Sequence, residues 1–305
     1  MQQKEFIDRL NLCFKTNKKD IKLLSDEVRF FRAQLLLKSL NSISKTMSLF
    51  DFKDNIVFEK NLPFIVLDEI KFLLNHQLFL KHTGRKFVSS SKDTIEFLEH
   101  FNIKPNNIID LGACWGEFSL FLSKKYPNSN IFSIEGSKKN YDILNINLNY
   151  NPDFSKKIKT FNLIISDKDG YEEISDSTST MNTLKSVINK KEIRYNTIKS
   201  NKLETFVMKH NIDSDFIKID IEGSELKLLS DLKKISSNSM QIELINYNPI
   251  ETNIEFLEHI STDYDFYEPN GWVLLNMRNL KQIVTETLNI KPTIDIFMIK
   301  KTFLN

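Results

Sequence analysis

The chain predicts an α/β protein whose last two thirds form a doubly wound, mostly parallel sheet. Two observations carry that prediction. From Ile108 onward, short apolar runs alternate with helix-like segments, the pattern of strand–helix–strand units whose helices cover a sheet. The segment Ile108-Ile-Asp-Leu-Gly-Ala-Cys-Trp-Gly-Glu-Phe-Ser119 runs from an apolar stretch through a small-residue turn into a helix start. Such a turn lets the backbone approach a nucleotide-like ligand closely. Glycine is scarce, seven in 305 residues, and Gly112, Gly116, Gly136 and Gly223 all fall at predicted strand-to-helix junctions.

The elements follow in order. Residues 1–104 read as a helical extension without strand alternation. Ile21, Leu24, Val28, Phe31 and Leu35 step by three and four and make an apolar seam. That seam packs within its own domain or forms a homodimer contact. Residues 41–60 read as a joint, and Val66–Leu80 as another helix. From residue 105 the second domain begins. Ile108–Leu111 is a strand, and Glu117–Tyr126 a helix stopped by Pro127. Ile131–Ile134 is a strand, Lys138–Asn149 a helix, and Phe161–Ile165 a strand. Residues 171–200, rich in Ser, Thr, Asn and charge, read as a loop or hairpin insertion over the sheet edge. Phe216–Ile221 is a strand, Ser224–Leu232 a helix and Met240–Ile245 a strand. Trp272–Met277 and Ile294–Ile299 read as a closing hairpin.

Bulk properties narrow the function classes. The net charge of +2 gives no pull toward nucleic acid. Lys156–Lys157 and Lys233–Lys234 read as solvated faces. Two cysteines, Cys13 and Cys114, provide neither a disulfide framework nor metal-ligand spacing. The N-terminus is polar and charged, unlike a signal peptide. No apolar run approaches the ~20 residues of a membrane-spanning helix. The expectation is a cytoplasmic protein. The five histidines (His76, His82, His100, His210, His259) show no ligand spacing.

Three constellations carry chemistry. Gly112 and Gly116 lie four apart, and residue 114 is cysteine, so the dinucleotide pattern Gly-x-Gly-x-x-Gly is not met. A ligand without phosphates, such as S-adenosylmethionine, does not need that cradle. Glu135 ends the next strand, where an acidic side chain can accept from ribose hydroxyls. The second constellation is Phe216-Ile-Lys-Ile-Asp-Ile-Glu-Gly223. Alternation puts Lys218, Asp220 and Glu222 on one face of a strand expected to be buried on both. Gln241 and Glu243 repeat the oddity on the next strand. Buried charges are costly unless paired or used. Lys218 is the pairing member; Asp220 and Glu222 lie at the carboxyl end, where ligands bind. Third, Ser166-Asp167 ends a further strand, either as an adenine-side contact or as turn chemistry.

Asp110-Leu-Gly-Ala-Cys-Trp-Gly-Glu-Phe-Ser119, Glu135, Ser166-Asp167, Lys202-Leu-Glu-Thr-Phe206 and Phe216-Ile-Lys-Ile-Asp-Ile-Glu-Gly-Ser-Glu225 together resemble the FkbM-type S-adenosylmethionine-dependent methyltransferases. The resemblance spans about residues 105–300. It implies a Rossmann-like class I methyltransferase fold with seven strands, and O-methyl transfer to sugars or other hydroxylated metabolites. By the same resemblance, Asp110, Gly112, Ala113 and Gly116 would hold the methionine part of the cofactor, with Ser119 near its carboxylate. Glu135 and Gly136 would lie at the ribose, and Ser166 and Asp167 at the adenine. Asp220 would stand between cofactor and acceptor. The family often has Asn where Cys114 stands, and Pro where Gly136 stands.

Methyl transfer to a neutral hydroxyl needs a base or a cation. Asp220, Glu222 and Glu243 are the candidates, either as base or as oxygen ligands of a divalent metal. The expected acceptor is a sugar or sugar nucleotide of bacterial surface-glycan (capsule or lipooligosaccharide) biosynthesis. Two rivals stand beside this reading. One is an NAD(P)-dependent oxidoreductase on a similar sheet, disfavoured by the missing middle glycine. The other is a non-catalytic methyltransferase-like scaffold built for helix-mediated assembly.

Overall fold

A computed structural model describes residues 56–59, 62–73, 89–175, 182–187, 195–235 and 237–304. The chain divides into two compact units, Met1–Ser89 with Asn149–Asn151, and Ser90–Leu148 with Pro152–Asn305. The apolar seam from Ile21 to Leu35 lies outside the described residues.

Over its described residues, 56–59 and 62–73, the first unit corrects the expectation of helix. Strands β1 (Ile56–Glu59), β2 (Leu62–Leu67) and β3 (Ile70–Leu73) form an antiparallel sheet in that order. β1 falls within the expected joint, and the end of β2 and all of β3 occupy the start of the segment read as a Val66–Leu80 helix. The physical reason is the turn at Asp68 and Glu69, with φ of 47° and 68°. Positive φ at both central residues makes a tight hairpin, normally announced by Asn-Gly or Asp-Gly. Glu at the second position hides that signal. Within the same unit, Asn151 accepts the Lys71 backbone N–H at 2.8 Å and donates to the Lys71 carbonyl at 2.7 Å, closing a reciprocal pair on β3.

The second unit opens with helix α1 (Ser89–His100). Next come β4 (Asn107–Leu111), α2 (Glu117–Lys125), β5 (Asn130–Glu135), α3 (Lys138–Asn149), α4 (Pro152–Ser155) and β6 (Ile158–Asn162). A small sheet follows from β7 (Ile164–Ile165), β8 (Gly170–Ser175) and β9 (Tyr195–Asn201), then α5 (Leu203–His210). The chain continues with β10 (Phe216–Ile219), a 3-10 turn (Glu225–Leu228), α6 (Leu229–Leu232) and β11 (Ser239–Ile245). It closes with α7 (Ile250–Ile260), β12 (Tyr264–Glu268), β13 (Val273–Leu275), α8 (Met277–Ile290) and β14 (Thr293–Lys300).

The main sheet has eight strands in the order β13-β12-β14-β11-β10-β4-β5-β6. The five from β11 to β6 run parallel, and β14 runs antiparallel to both β11 and β12. This is the expected mostly parallel sheet with one short edge strand, β13, added to the seven. The expected closing hairpin does not form. β13 pairs with β12, and β14 inserts between β12 and β11.

Parallel strands are covered on both faces, so they read as near-continuous apolar runs. Ile108 and Ile109 show the two destinations. Ile108 joins Phe97 and Leu98 of α1, Phe118 of α2 and Phe297 of β14 on one face. Ile109 joins Phe206 of α5, Phe256 and Leu257 of α7, and Leu280 and Val284 of α8 on the other. α1 thus belongs to this core although it precedes residue 105. Lys124 and Lys125 occupy the last turn of α2, complementing its dipole, and Asn276 caps α8 by accepting the Asn279 N–H at 2.9 Å.

Three local departures matter for the site. The expected strand Phe161–Ile165 breaks at Leu163, because Asn162 donates to the Glu135 and Gly136 carbonyls at 2.9 and 3.0 Å and turns the chain. β6 therefore stays in the main sheet while β7 starts the small one. The strand expected to reach Ile221 leaves its ladder after Ile219. The helix expected over Ser224–Leu232 is a 3-10 turn followed by one α turn. Of the loop or hairpin expected over 171–200, the described residues hold the hairpin form, with β8 and β9 paired antiparallel. Among the described residues, no helix is long and apolar enough to cross a membrane.

Candidate active site

The carboxyl ends of β4, β5, β10 and β11 gather most of the predicted site residues. The glycine loop follows β4. The Gly112 and Ala113 N–H groups both donate to the Ile134 carbonyl at 3.0 Å, which folds the loop back onto β5. Gly112 has φ 81°, and a Cβ there would lie 1.7 Å from the Asp220 carbonyl oxygen. Only glycine allows both that backbone conformation and that approach. Cys114 also has positive φ, 48°, a conformation Asn tolerates better than most residues. Its N–H donates to Glu135 Oε2 at 2.8 Å, which holds the unusual backbone in place.

Glu135 is buried at the end of β5, and its other oxygen accepts the Ser137 N–H at 2.7 Å. Burial pushes its carboxyl up to about 7, against the pull of those two N–H groups. Each carboxylate oxygen can accept more than one hydrogen bond. Gly136 serves packing: a Cβ there would sit 2.9 Å from both Ile164 and Ile174, where the small sheet closes over β5. That contact explains the departure from the Pro the family often carries.

Asp110 is fully buried, and its Oδ2 accepts the Ser119 hydroxyl at 2.6 Å. Its Oδ1 has no hydrogen-bond partner among the described residues and faces Lys218 Nζ at 3.7 Å. Ser119 also shares a 2.6 Å hydrogen bond with Ser133. Its hydroxyl thus braces Asp110 from below the loop. Lys218, buried on β10, reaches Asp220 Oδ2 at 2.9 Å. Burial works against its charge, but Asp220 and Asp110 outweigh it and hold Lys218 above the usual lysine range. The expected pairing role of Lys218 is therefore what the structure has.

Asp220, Glu222 and Glu243 come to one edge. Burial first, then Asp220, Asp295 and Glu222, push Glu243 far above the usual carboxylate range, and it hydrogen-bonds to Asp220. That upward shift favours its protonated form, which can donate a hydrogen bond. Among the described residues, no three His, Cys, Asp or Glu side chains converge to hold a metal ion. The divalent-metal option at Asp220, Glu222 and Glu243 therefore finds no assembled ligand set there. Ser166 is buried and Asp167 exposed, joined by a 3.0 Å hydrogen bond at the end of β7. Both sit on the small sheet, next to the turn made by Asn162.

Three groups of residues escaped the sequence reading. Asp295 stands opposite Glu243 on β14, held by Gln241 Nε2 at 2.9 Å; burial raises it to about 6. Its signal, a charge inside the apolar run Ile294–Ile299, is the one that marked Glu243. Asn140 and Asn147 of α3 grip Trp115 by its ring N–H and its carbonyl, at 3.1 and 2.8 Å. Glu225 accepts the Ile221 and Gly223 N–H groups at 3.0 and 3.1 Å.

The fold and this edge define a class I methyltransferase: a parallel sheet with a glycine loop after its first parallel strand, an acid ending the next, and charged groups at the switch point. Residues 106–270 match the family described as Methyltransferase FkbM domain, and the chain belongs to that family. Its cofactor is S-adenosylmethionine. The residues fit that group. The donor set offers Glu135, a buried carboxylate at the end of β5, for ribose hydroxyls, and no phosphate cradle. No curated protein sequence matches the chain. Similar solved structures include the precorrin-6y C5,15-methyltransferase of Geobacter metallireducens GS-15, at 11% identity, covering 77% of this chain and 95% of that one, with a TM-score of 0.40. Another is the plantazolicin methyltransferase BpumL in complex with SAH, at 15% identity, covering 73% and 88%, with a TM-score of 0.41.

Proposed function

We propose that this methyltransferase transfers a methyl group to a hydroxyl of a sugar or sugar nucleotide. The observation that carries the reading is the contact of Gly112 with the Asp220 carbonyl, which places the cofactor loop against a carboxylate-bearing turn. S-adenosylmethionine, when bound, supplies a methyl group already activated on a sulfonium. The protein's share is to orient a hydroxyl and remove its proton. Asp110, Gly112, Ala113, Gly116, Glu135 and Gly136 form the cofactor side, with Ser119 bracing Asp110 and with Ser166 and Asp167 at its margin. Asp220 and Glu222 carry the base role on the acceptor side. Glu243, its pKa raised by burial, hydrogen-bonds to Asp220 and fixes its orientation, while Lys218 pairs with Asp220 at 2.9 Å. Carboxylates that accept hydroxyl hydrogens suit a polyhydroxylated acceptor.

The setting we infer, cytoplasmic assembly of a bacterial surface glycan such as capsule or lipooligosaccharide, rests on the family resemblance. The segment ahead of α1, residues 1–88, we take as an extension serving dimerisation or covering the acceptor. The test is incubation of the protein with isotope-labelled S-adenosylmethionine and a panel of sugar nucleotides. The expected result is label and one methyl's mass on a sugar hydroxyl. Methylation of nitrogen or carbon acceptors instead, or no binding of S-adenosylhomocysteine by calorimetry, overturns the reading.

A further inference from the structure

The turn that follows β10 is held from every side. Glu222 has φ 54° and Gly223 φ 97°, two left-handed residues in succession. A non-glycine residue in that region is strained and persists only where its surroundings over-determine it. Thr183 Oγ1 donates to the Glu222 carbonyl at 2.6 Å, and Asn248 Nδ2 to the Gly223 carbonyl at 3.3 Å. Upstream, the Asp220 N–H donates to the Leu111 carbonyl at 3.1 Å. The remaining anchor is Glu225, 1% exposed, whose Oε1 takes the N–H groups on both sides of Glu222. Its Oε2 has no hydrogen-bond partner among the described residues. An acid buried this way is costly, and both of these hydrogen bonds come from neutral backbone N–H groups. Packing alone would be met by an apolar side chain.

We propose that Glu225 is a positioning residue: by gripping the Ile221 and Gly223 N–H groups it sets where Asp220 and Glu222 stand toward the acceptor. The role rests on the acceptor reading above, but the grip itself does not. Glu225 lies behind the turn and acts through these two backbone groups.

The experiment compares wild type, Glu225→Ala and Glu225→Gln in the full chain. It reads amide hydrogen exchange at Ile221 and Gly223, affinity for S-adenosylhomocysteine, and kcat and KM with the best acceptor of the panel. In Glu225→Ala, exchange at these two amides is expected to quicken about tenfold or more and kcat to fall about tenfold or more. Acceptor KM and S-adenosylhomocysteine affinity are expected to stay within about threefold. Glu225→Gln keeps an acceptor oxygen and is expected to recover both exchange protection and kcat. Should Glu225→Ala not fold, Glu225→Met fills the space without accepting a hydrogen bond and is read the same way. Unchanged exchange, unchanged kcat, or a Gln variant as impaired as Ala overturns the proposal. If wild type methylates nothing in the panel, the acceptor reading fails, and exchange at the two amides still decides whether Glu225 holds the turn.

Discussion

At the amino end of the main sheet, Asp215 accepts the Asn106 and Asn107 backbone N–H groups at 2.7 and 3.0 Å and the Asn238 side-chain amide at 3.1 Å. It stitches together the starts of β4, β10 and β11. At the carboxyl end of the same strands, Asp110 and Glu225 each bury an oxygen without a hydrogen-bond partner among the described residues. Asp220, Glu243 and Asp295 crowd around one lysine there. The same kind of side chain makes a fastener at one end and a reactive edge at the other. The difference is burial: Asp215 is half-buried, whereas burial raises the carboxyl pKa of Asp110, Glu225, Glu243 and Asp295. A half-buried carboxylate tied to backbone N–H groups contributes stability; a cluster of buried ones with shifted pKa marks chemistry.

The largest test of that contrast is Lys218→Ala. It leaves Asp110 and Asp220 without their common counter-charge, and breaking a buried pair this way costs about 3–5 kcal/mol. The expected outcome is a large drop in the urea unfolding midpoint together with loss of methyl transfer.

Gly112→Ala comes next. Its Cβ cannot occupy a point 1.7 Å from the Asp220 carbonyl, so loop and turn must separate. Affinity for S-adenosylhomocysteine by calorimetry is expected to fall about 100-fold, roughly 2.7 kcal/mol.

Glu135 sharpens the contrast through pH. Its folded pKa, about 7, lies above its value in the unfolded chain. As pH rises from about 4.5, the unfolded state therefore releases this proton first. The folded state binds more protons across that window, so stability falls as pH rises to about 7 and levels off above it. Without ligand, Glu135 contributes up to about 3 kcal/mol of that fall. Glu135→Gln is expected to flatten the slope of unfolding free energy between pH 4.5 and 7. An unchanged slope would place the titration elsewhere.

Asp215→Ala is the smallest and cleanest. It removes three accepted hydrogen bonds far from the chemistry, and roughly 1–2 kcal/mol of stability should go with them. Turnover at a temperature where the variant is folded should match wild type. A fall in kcat would erase the distinction between the two ends.

Most of the sheet and of the cofactor side was legible because periodicity and glycine placement are local signals. Ile108–Leu111, Lys138–Asn149 and Met240–Ile245 stand within a residue of where apolar spacing puts them. Glu243 betrayed itself as a charge in a strand that burial should have kept apolar; Asp220 and Glu222, read by alternation as continuing β10, stand in the turn just past it. What stayed hidden depends on partners distant in sequence. Asp295 matters because β14 pairs with β11 and sets it opposite Glu243. The break at Leu163 depends on Asn162 reaching Glu135 and Gly136. The β2–β3 hairpin was missed because Glu69, a residue that ordinarily avoids positive φ, stands in the turn. Glu225 was visible inside the quoted motif, but its use appears only once the backbone N–H groups it accepts are placed.

Strand β14 is made after every other strand of its sheet, yet it sits between β11 and β12. A chain leaving the ribosome can lay down β4, β5, β6, β10 and β11 in parallel register while the far edge of β11 still lacks its neighbour. β12 and β13 can meet only each other until residue 300 has emerged. Completion of the sheet is thus deferred until its last strand has been made, with an apolar edge open in the meantime. Holding such an edge against wrong partners is work for a chaperone bound to the nascent chain.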